Sequence, residues 1–329
     1  MTPIVSVITP CYNGLPFLAE LLASVRAQTL AAWEHIVVDD GSTDGSIAVV
    51  EAHASGDPRL RTIGQSRGGV AAARNAGYAA ASPASRYVYF LDADDVLEPD
   101  MLETMVAYLD AHPRAGVAFC DYLCIGEDGR LQKHSRVPRL VPTRLGARAL
   151  DPTEPVTPLE SVYCWAPVME SLSMIRRSAF DETSGWDSSI GQPGEGVDLF
   201  TDIALRHDIH YVNRPMYHYR RHPNQASFDL NRLLTQDLRV QLKWRDRRDL
   251  SPADRARIDA AQRFRTGRLR LHTTATSTRR YLAAGELQHA AHSALELGRT
   301  LARMVARRSP WPSGEDPRTG PAMVERSQE

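Results

Sequence analysis

The chain has only four cysteines among its 329 residues, and no two of them form a C-x-x-C pair. This scarcity excludes a disulfide framework and a zinc site built from cysteines, and it predicts a protein that works in a reducing compartment. The four thiols are expected to serve as small core residues: Cys11, Cys120, Cys124 and Cys164.

Long apolar runs are missing as well. No uncharged run approaches the ~20 residues that a membrane-spanning helix needs. The N-terminus passes from Met1–Pro3 straight into a strand pattern, without the basic segment and cleavage site of a secretory signal. These absences predict a soluble protein of cytoplasmic type.

Neither sign of charge dominates the composition. The net charge is −1 and charged residues make up 24% of the chain, which argues against disorder and against a nucleic-acid partner. With 43% hydrophobic residues, the chain can bury a sizeable core, in one large domain or two smaller ones.

The usual phosphate-binding signatures do not occur. No G-x-G-x-x-G follows the first strand pattern, and there is no G-x-x-x-x-G-K-[ST]. Ordinary dinucleotide binding and P-loop chemistry therefore have no support. The glycine-rich segment G-x-G-T-R-L, with which nucleotidyltransferases of α/β fold bind phosphate, is absent too. A nucleotidyltransferase therefore ranks last among the functions considered.

Short β-branched runs alternate with helical patterns in the first part of the chain. The alternation predicts an α/β fold of Rossmann-like type, with a mainly parallel sheet flanked by helices. The strand patterns cover residues 4–9, 33–38, 60–63 and 87–91.

The stretch Tyr87–Asp95 ends a buried strand pattern in three carboxylates. On an extended chain Asp92 and Asp94 point the same way, so they can share a cation or a ribose–phosphate group. Open α/β sheets bind ligands at the carboxyl ends of their strands. The plainer interpretation is an acidic strand-to-helix loop in which Asp95 or a neighbour caps the next helix.

Polar residues also follow the other predicted strands, as Pro10–Asn13, Asp39–Asp40 and Gly68–Arg74. In a doubly wound sheet these strand ends converge on one crevice. An aromatic face beside a carboxylate suits a nucleobase. Two further carboxylates suit a ribose and a divalent cation on a diphosphate, and the hard ions Mn²⁺ and Mg²⁺ prefer such oxygen ligands.

Four segments together carry a family resemblance. The chain contains, in order, V-S-V-I-T-P-C-Y-N, V-V-D-D-G-S-T-D-G-S, G-V-A-A-A-R-N-A-G and L-D-A-D-D. In this order and spacing they resemble family 2 of the inverting glycosyltransferases, over about residues 3–225. The resemblance implies the nucleotide-sugar-binding GT-A fold and a requirement for Mn²⁺ or Mg²⁺.

The resemblance also implies roles for individual residues in binding the nucleotide sugar. In the family the nucleobase of the donor is usually uracil. Without the resemblance, Asp39 would be interpreted as a strand-end cap and Arg74 as a surface charge. The implied donor site is as follows: Pro10 and Tyr12 at the nucleobase pocket, Asp40 with Asp39 beside it holding the nucleobase, Arg74 and Asn75 near the donor, Asp92 near the ribose, Asp94 carrying the metal that bridges the diphosphate, and Asn13 and Ala93 as further nucleotide-sugar-binding residues.

An inverting transfer needs a base that deprotonates the acceptor hydroxyl. In the family this is usually the aspartate of an E-D pair, often written E-D-x-D-L. Here the corresponding segment reads G-E-G-V-D-L, so Gly196 occupies the position of the family's catalytic base. Either Glu195 or Asp198 takes the role, or the enzyme is impaired. Glu195 is preferred, because Asp198 is expected to face the helix interior or to cap the helix.

A last motif lies further along the chain. Residues 219–222 read Y-R-R-H and are followed by Ser227, similar to the family's Y-R-x-H…S segment. The resemblance implies that Arg220 reaches the diphosphate and that His222 contacts the donor or the metal. Alone, His222 would be interpreted as a surface histidine.

The sequence thus predicts a metal-dependent inverting glycosyltransferase that uses a nucleotide-activated sugar, with a UDP-sugar preferred. The expected acceptor is a growing glycan such as a cell-surface polysaccharide, or a lipid-linked or protein-linked glycan. Gly196 motivates an alternative, a catalytically silent module that only binds nucleotide sugars.

We divide the chain into a catalytic domain (1–227), a helical C-terminal region (228–309) and a disordered tail (310–329). Within the first part, the proline-rich residues 134–160 predict a long loop that could cover the site. The basic helical region is interpreted as an appendage docked on the catalytic domain. The alternative is an amphipathic surface that contacts the inner face of an anionic membrane, a partner or a second copy.

Overall fold

The computed structural model describes residues 1–135, 140–143, 146–165, 170–223, 230–263 and 265, together with 287–288, 291–292 and 294–295. The strands are, in chain order, β1 (Val5–Cys11), β2 (Trp33–Asp39), β3 (Leu60–Gly64), β4 (Tyr87–Phe90), β5 (Val96–Leu97), β6 (Ala115–Ile125), β7 (Leu131–Ser135), β8 (Leu140–Thr143), β9 (Gly146–Ala149), β10 (Ser173–Arg176) and β11 (Asp208–Arg220).

Helices lie between these strands and continue beyond the last of them. A 3₁₀ helix covers Glu170–Leu172, and residues 252–263 are helical as well. The α-helices are α1 (Leu15–Arg26), α2 (Ser46–Ala54), α3 (Val70–Ala80), α4 (Met101–Ala111), α5 (Leu159–Trp165), α6 (Arg177–Asp181), α7 (Glu195–Ala204) and α8 (Leu230–Asp246).

Most strands join one sheet in the order β3-β2-β1-β4-β10-β6-β11-β5, with β7 paired to β6. Strands β3, β2, β1 and β4 are parallel, as the β-α alternation predicts, and β11 is parallel to β6. Strand β10 enters antiparallel between β4 and β6. The winding direction reverses between β1 and β4, and the loops after these strands flank the crevice where such sheets bind ligands.

The middle of the sheet is dry and closely packed. Residues 87–91 have no solvent exposure, which is the environment that their aromatic and β-branched side chains favour. Helix α3 packs tightly on β1 because residue 77 is glycine. A Cβ atom at Gly77 would lie 2.3 Å from Cγ2 of Ile8. This close contact places the start of α3, with Arg74, beside the end of β4.

Two expectations about chain segments are wrong. Residues 134–160 are not one long loop, because β8 pairs with β9 there and α5 begins at Leu159. The short strand β8 lies outside the main sheet and accommodates a proline, which edge strands tolerate. The sequence patterns at Tyr211 and at Tyr217–Tyr219 predict a pair of strands, but both belong to the single strand β11, whose register against β6 shifts near Pro215.

The described part of the C-terminal region packs on the catalytic part. Val240, Trp244 and Ile258 share a hydrophobic cluster with Tyr163 of α5 and Ile190. Two arginines of this region form ion pairs with the catalytic part, which supports the docked arrangement: Arg247 with Asp202, and Arg257 with Glu160. Arg265 pairs with Asp237 within the region and donates to the Tyr163 carbonyl of α5.

Two expectations concern the far end of the C-terminal region. The sequence predicts an apolar helix face here, made of Leu287, Ala291, Ala294, Leu295, Leu301 and Val305. Leu287 and Leu295 are exposed. Leu301, Val305 and the tail 310–329 lie outside the described residues.

The structure bears on two of the features noted in the sequence, the few cysteines and the missing long apolar runs. All four cysteines are buried and none forms a disulfide, which confirms their expected role as small core residues. Among the helices that the structure describes, none combines the length and apolar character needed to cross a bilayer.

His35 provides a pH-dependent contribution to stability. Its ring is buried and lies 2.9 Å from the Thr9 hydroxyl, and burial lowers the pKa of His35 from 6.5 to about 3. The unfolded chain therefore binds a proton below pH 6.5 that the folded chain does not, so stability falls as the pH falls. We expect the wild type to lose about 1 kcal/mol more than His35→Gln between pH 7.5 and 5.5. Urea unfolding at both pH values measures the difference, and equal losses would contradict it.

Candidate active site

An open cleft of about 940 Å³ lies at the carboxyl ends of β1, β2 and β4. The strand ends that the sequence predicts to converge do meet there. The predicted site residues that line the cleft are Pro10, Tyr12, Asn13, Asp40, Asp92, Ala93, Asp94, Glu195 and His222. Five other predicted residues are not part of that lining: Asp39, Arg74, Asn75, Asp198 and Arg220.

The acidic loop after β4 holds two carboxylates in the cleft. The side chains of Asp92 and Asp94 are each 29% exposed, so both are accessible to a ligand. Asp92 accepts from Arg74 at 2.8 Å, and its backbone N–H donates to the Ser171 hydroxyl. Asp94 Oδ2 lies 2.9 Å from Nε2 of His222. Each carboxylate is therefore held in place by one cationic or imidazole partner.

Asp95, the third acid of the loop, has a structural role. It is buried and accepts from the Tyr217 hydroxyl and from the Arg220 backbone N–H. Burial, with Asp94 and Asp92 nearby, raises the pKa of Asp95 well above its ordinary value. The plainer interpretation, in which Asp95 caps the next helix, is wrong, because α4 begins only at Met101 and its N-cap position is Asp100. Asp95 instead joins the acidic loop to β11.

Arg220 does not reach into the cleft as the motif suggests. Its side chain has no exposure, and its guanidinium donates to the backbone oxygens of Asp94, Gly126 and Glu127 and to the Glu20 carboxylate. A buried guanidinium needs such acceptors on all sides. Arg220 thus supports the acidic loop from behind, whereas Tyr219 and His222 of the same motif line the cleft.

The side of the cleft opposite the acidic loop carries an exposed aromatic ring. Tyr12 is 40% exposed, and the Arg67 guanidinium lies 3.8 Å from its ring centroid and donates to its hydroxyl. Asn13 adopts a left-handed backbone with φ 52°, and its side chain accepts from the Thr43 N–H. Arg67 was not predicted from the sequence, since a single arginine after β3 belongs to none of the motifs.

The two acids after β2 are used differently. Asp40 lies at the cleft and accepts from the backbone N–H groups of Gly68 and Gly69 and from Gln65. Asp39 accepts from the Ser42 N–H, which matches the plainer interpretation of a strand-end cap. Asp40 therefore fixes the turn that opens α3, and Asp39 stabilises its own loop.

Arg74 lies directly under the cleft. It is fully buried and bonds Asp92 at 2.8 Å and Glu195 at 3.0 Å, with its guanidinium 4.6 Å from the centroid of Trp186. Burial alone would lower the pKa of Arg74, but Asp92 and Glu195 raise it well above its ordinary value. A helix-surface charge, the plainer interpretation of Arg74, is therefore wrong. The residue is a fixed cation that links α3, β4 and α7.

Asn75 holds a neighbouring loop. Its amide donates to the Trp186 carbonyl at 2.7 Å and accepts from the Trp186 N–H at 2.9 Å. Trp186 in turn packs against Arg74. Asn75 thus acts on the site through Trp186.

We expect Asn75→Ala to lower the free energy of unfolding by about 2 kcal/mol, because two hydrogen bonds are lost and the Trp186 backbone keeps its unpaired groups. Denaturant unfolding measures the change. A loss below about 0.5 kcal/mol, the level of an ordinary surface substitution, would contradict this role.

Asp198, the second candidate for the catalytic base, is used elsewhere. It is buried and accepts from Lys243 Nζ at 2.7 Å and from Trp244 Nε1 at 2.9 Å. Both partners belong to α8, so Asp198 attaches that helix to α7. This agrees with the expectation that Asp198 faces the helix interior or caps the helix. Its carboxylate does not line the cleft, so it has no access to an acceptor there.

Glu195 and Glu170 share one end of the cleft. Glu195 is buried, with Oε1 bonded to Arg74 and Oε2 accepting from the Gly194 N–H. Glu170 also lines the cleft, and its carboxylate lies against Gly196, where an added Cβ would be 1.9 Å from Oε1. The sequence motifs do not identify Glu170. The one feature of the sequence that could have indicated Glu170 is Gly196. A glycine at the position of the catalytic base leaves room for a side chain from another segment.

The residues present fit a divalent cation only in part. Asp94 and His222 offer one oxygen and one nitrogen donor within 2.9 Å of each other. Among the described residues, no group of three or more His, Cys, Asp or Glu side chains is placed to hold a metal. Mg²⁺ in nucleotide sites is bound by one or two protein ligands and by substrate phosphates. The pair therefore suits a cation that binds together with a diphosphate.

Comparisons with known proteins agree with this geometry. The model of Glycosyl transferase family 2 matches residues 6–182, more than half of the chain. The chondroitin synthase of Escherichia coli is 36% identical over 101 residues, which are 31% of this chain and 14% of that protein. The matches span between 14% and 50% of the length of eight curated relatives.

Two solved structures share the fold. S. aureus TarS in complex with UDP aligns with a TM-score of 0.57 and 20% identity, over 82% of this chain and 71% of that one. The mannosyltransferase PcManGT from Pyrobaculum calidifontis, in complex with GDP-Man and Mn²⁺, aligns with a TM-score of 0.54 and 18% identity, over 92% and 86%. The fold is thus the GT-A type that the sequence predicts, and the chain belongs to glycosyl transferase family 2.

Proposed function

We propose that this chain is an inverting, metal-dependent glycosyltransferase that moves a sugar from a UDP-sugar to a hydroxyl group of a growing glycan. The single observation that carries the proposal is the pairing of Asp94 with His222 at 2.9 Å, at the end of the central strand and open to the cleft. A lipid-linked or protein-linked glycan is the other acceptor class.

The cleft provides a place for each part of such a donor. A base can stack on Tyr12, whose ring is held by Arg67. The backbone turn fixed by Asp40 borders the same space. Asp92 would lie near the ribose, and Asp94 with His222 would face the diphosphate.

The chemistry follows from these positions. A cation held by Asp94 and His222 would supply positive charge that stabilises the departing diphosphate. Arg74 keeps Asp92 in a single position. The acceptor oxygen attacks the anomeric carbon from the face opposite the leaving group, and a cleft carboxylate takes its proton.

The comparisons support the choice of donor and acceptor. The structural neighbours include TarS bound to UDP and to UDP-GlcNAc, and PcManGT bound to GDP-Man with Mn²⁺. The name of chondroitin synthase describes the synthesis of a polysaccharide. UDP-sugars and GDP-sugars are therefore the donors to test first.

The test is a panel of UDP-, GDP- and dTDP-sugars incubated with the purified protein and Mn²⁺, with release of the nucleoside diphosphate as the readout. We expect one UDP-sugar to be hydrolysed slowly and EDTA to stop the release. No binding of any donor or nucleoside diphosphate would contradict the proposal.

Gly196 supports a second candidate, a silent nucleotide-sugar-binding module. Such a module would bind UDP with Mn²⁺ but would release no diphosphate from any donor, even with glycan acceptors present. The turnover panel separates the two functions, because only an enzyme consumes the donor.

A further inference from the structure

We propose that Glu170 is the general base of the transfer and that its carboxylate replaces the side chain missing at Gly196. The inference rests on the proposed glycosyltransferase function. It changes the expectation from the sequence, which preferred Glu195.

The position of Glu170 is the first argument. A Cβ atom at Gly196 would lie 1.9 Å from Glu170 Oε1 and 2.6 Å from Cδ. Because a Cβ–Cγ bond is about 1.5 Å long, the Glu170 oxygen lies close to where the carboxyl group of an aspartate at 196 would begin. The 3₁₀ helix Glu170–Leu172 thus delivers from another part of the chain the group that α7 does not provide.

Accessibility is the second argument. Glu170 is half-buried and lines the cleft, whereas Glu195 is 1% exposed. Both oxygens of Glu195 are engaged, one with Arg74 and the other with the Gly194 N–H. A base must reach the hydroxyl proton that it removes. Of the two glutamates, Glu170 satisfies this condition, and Glu195 positions Arg74.

The third argument is the electrostatic environment. Burial raises the pKa of Glu170 to about 7, and the Glu195 carboxylate adds to the rise while Arg74 opposes it. Asp92 also raises the pKa of Glu170, and Tyr89 of β4 donates to the adjacent Ser171 carbonyl. A base with a pKa near the working pH transfers protons most efficiently.

Glu170 takes the proton from the acceptor hydroxyl, whose oxygen forms a bond to the anomeric carbon. The bond from that carbon to the diphosphate oxygen breaks, and its electron pair leaves with the nucleoside diphosphate. In donor hydrolysis, water takes the place of the acceptor.

The test compares Glu170→Gln with the wild type in hydrolysis of the donor that the wild type turns over, with Mn²⁺. We expect turnover to fall by about 100-fold or more, while UDP affinity measured by calorimetry changes less than about threefold. The wild-type rate should fall about tenfold per pH unit below pH 7, and this dependence should vanish in Glu170→Gln. The control is Glu160→Gln, a buried glutamate paired with Arg257 away from the cleft, which should keep the wild-type rate and pH profile.

A reciprocal exchange of the two side chains distinguishes loss of the general base from a structural effect of substituting Glu170. Glu170→Gly should be inactive, and Gly196→Asp should be inactive because its side chain overlaps Glu170. The double variant Glu170→Gly/Gly196→Asp places a carboxylate in the same space and should regain at least about tenfold over Glu170→Gly, since general-base catalysis contributes 10²–10⁴-fold.

The outcomes separate this inference from the proposed function. Wild-type turnover together with an unchanged rate and pH profile in Glu170→Gln would overturn the role of Glu170 and leave the glycosyltransferase function standing. UDP binding without turnover in the wild type would overturn both. Loss of turnover in Glu170→Gln with rescue in the double variant would establish the relocated base.

Discussion

Replacing Arg74 with leucine is expected to destabilise the protein by about 3–5 kcal/mol. The side chain is fully buried and ion-paired with Asp92 and Glu195. Without it, the buried Glu195 carboxylate has lost its cation, and an uncompensated buried charge is far more costly than a broken surface pair. Urea unfolding at pH 7.5 measures the change.

Arg86 provides the matched control for this prediction. It forms an ion pair with Asp110 in which the two side chains are 52% and 40% exposed. Arg86→Leu should therefore cost at most about 1 kcal/mol. The double variant Arg74→Leu/Glu195→Leu should recover part of the loss, because neither charge is then left alone. An equal cost for Arg74→Leu and Arg86→Leu would contradict the account of the buried network.

Asp94→Asn is expected to reduce release of the nucleoside diphosphate by about 10³-fold or more, the size of effect seen when a group that stabilises developing charge is removed. The substitution preserves the shape of the side chain and its place beside His222. It removes the negative charge that would hold the cation. UDP binding should also lose its dependence on Mn²⁺, which calorimetry with and without EDTA can measure.

The control for Asp94 is Asp100→Asn. Asp100 is an exposed acid paired with Arg214 at the start of α4, and its loss should leave turnover unchanged. Mn²⁺-dependent turnover at the wild-type rate in Asp94→Asn would show that the cation is held elsewhere.

Much of the sheet and of the cleft could be predicted from the sequence, because both depend on local patterns and on one rule of topology. Strands β1, β2, β3 and β4 are short apolar runs separated by helical patterns, and such runs form parallel neighbours. Tyr12, Asp40 and Asp94 follow three of these strands, so they had to meet at the same edge.

The rest of the site depends on packing between distant segments, which local patterns do not contain. Arg220 lies in a recognisable motif, yet its guanidinium is enclosed by backbone oxygens beneath the acidic loop. Asp198 is used to attach α8 through Lys243 and Trp244. The contact between Glu170 and Gly196 joins the 3₁₀ helix to α7, and only the three-dimensional arrangement shows that one residue fills the space left by the other.

The measurement that most directly tests the central claim is real-time proton NMR of donor turnover by the wild-type protein with Mn²⁺. We predict that an α-linked donor such as UDP-GlcNAc, or the donor that the panel identifies, first yields the β-anomer of the sugar together with free nucleoside diphosphate. We also predict that EDTA stops the reaction. Initial formation of the α-anomer would contradict an inverting mechanism, and a donor that binds but is never consumed would identify a silent module.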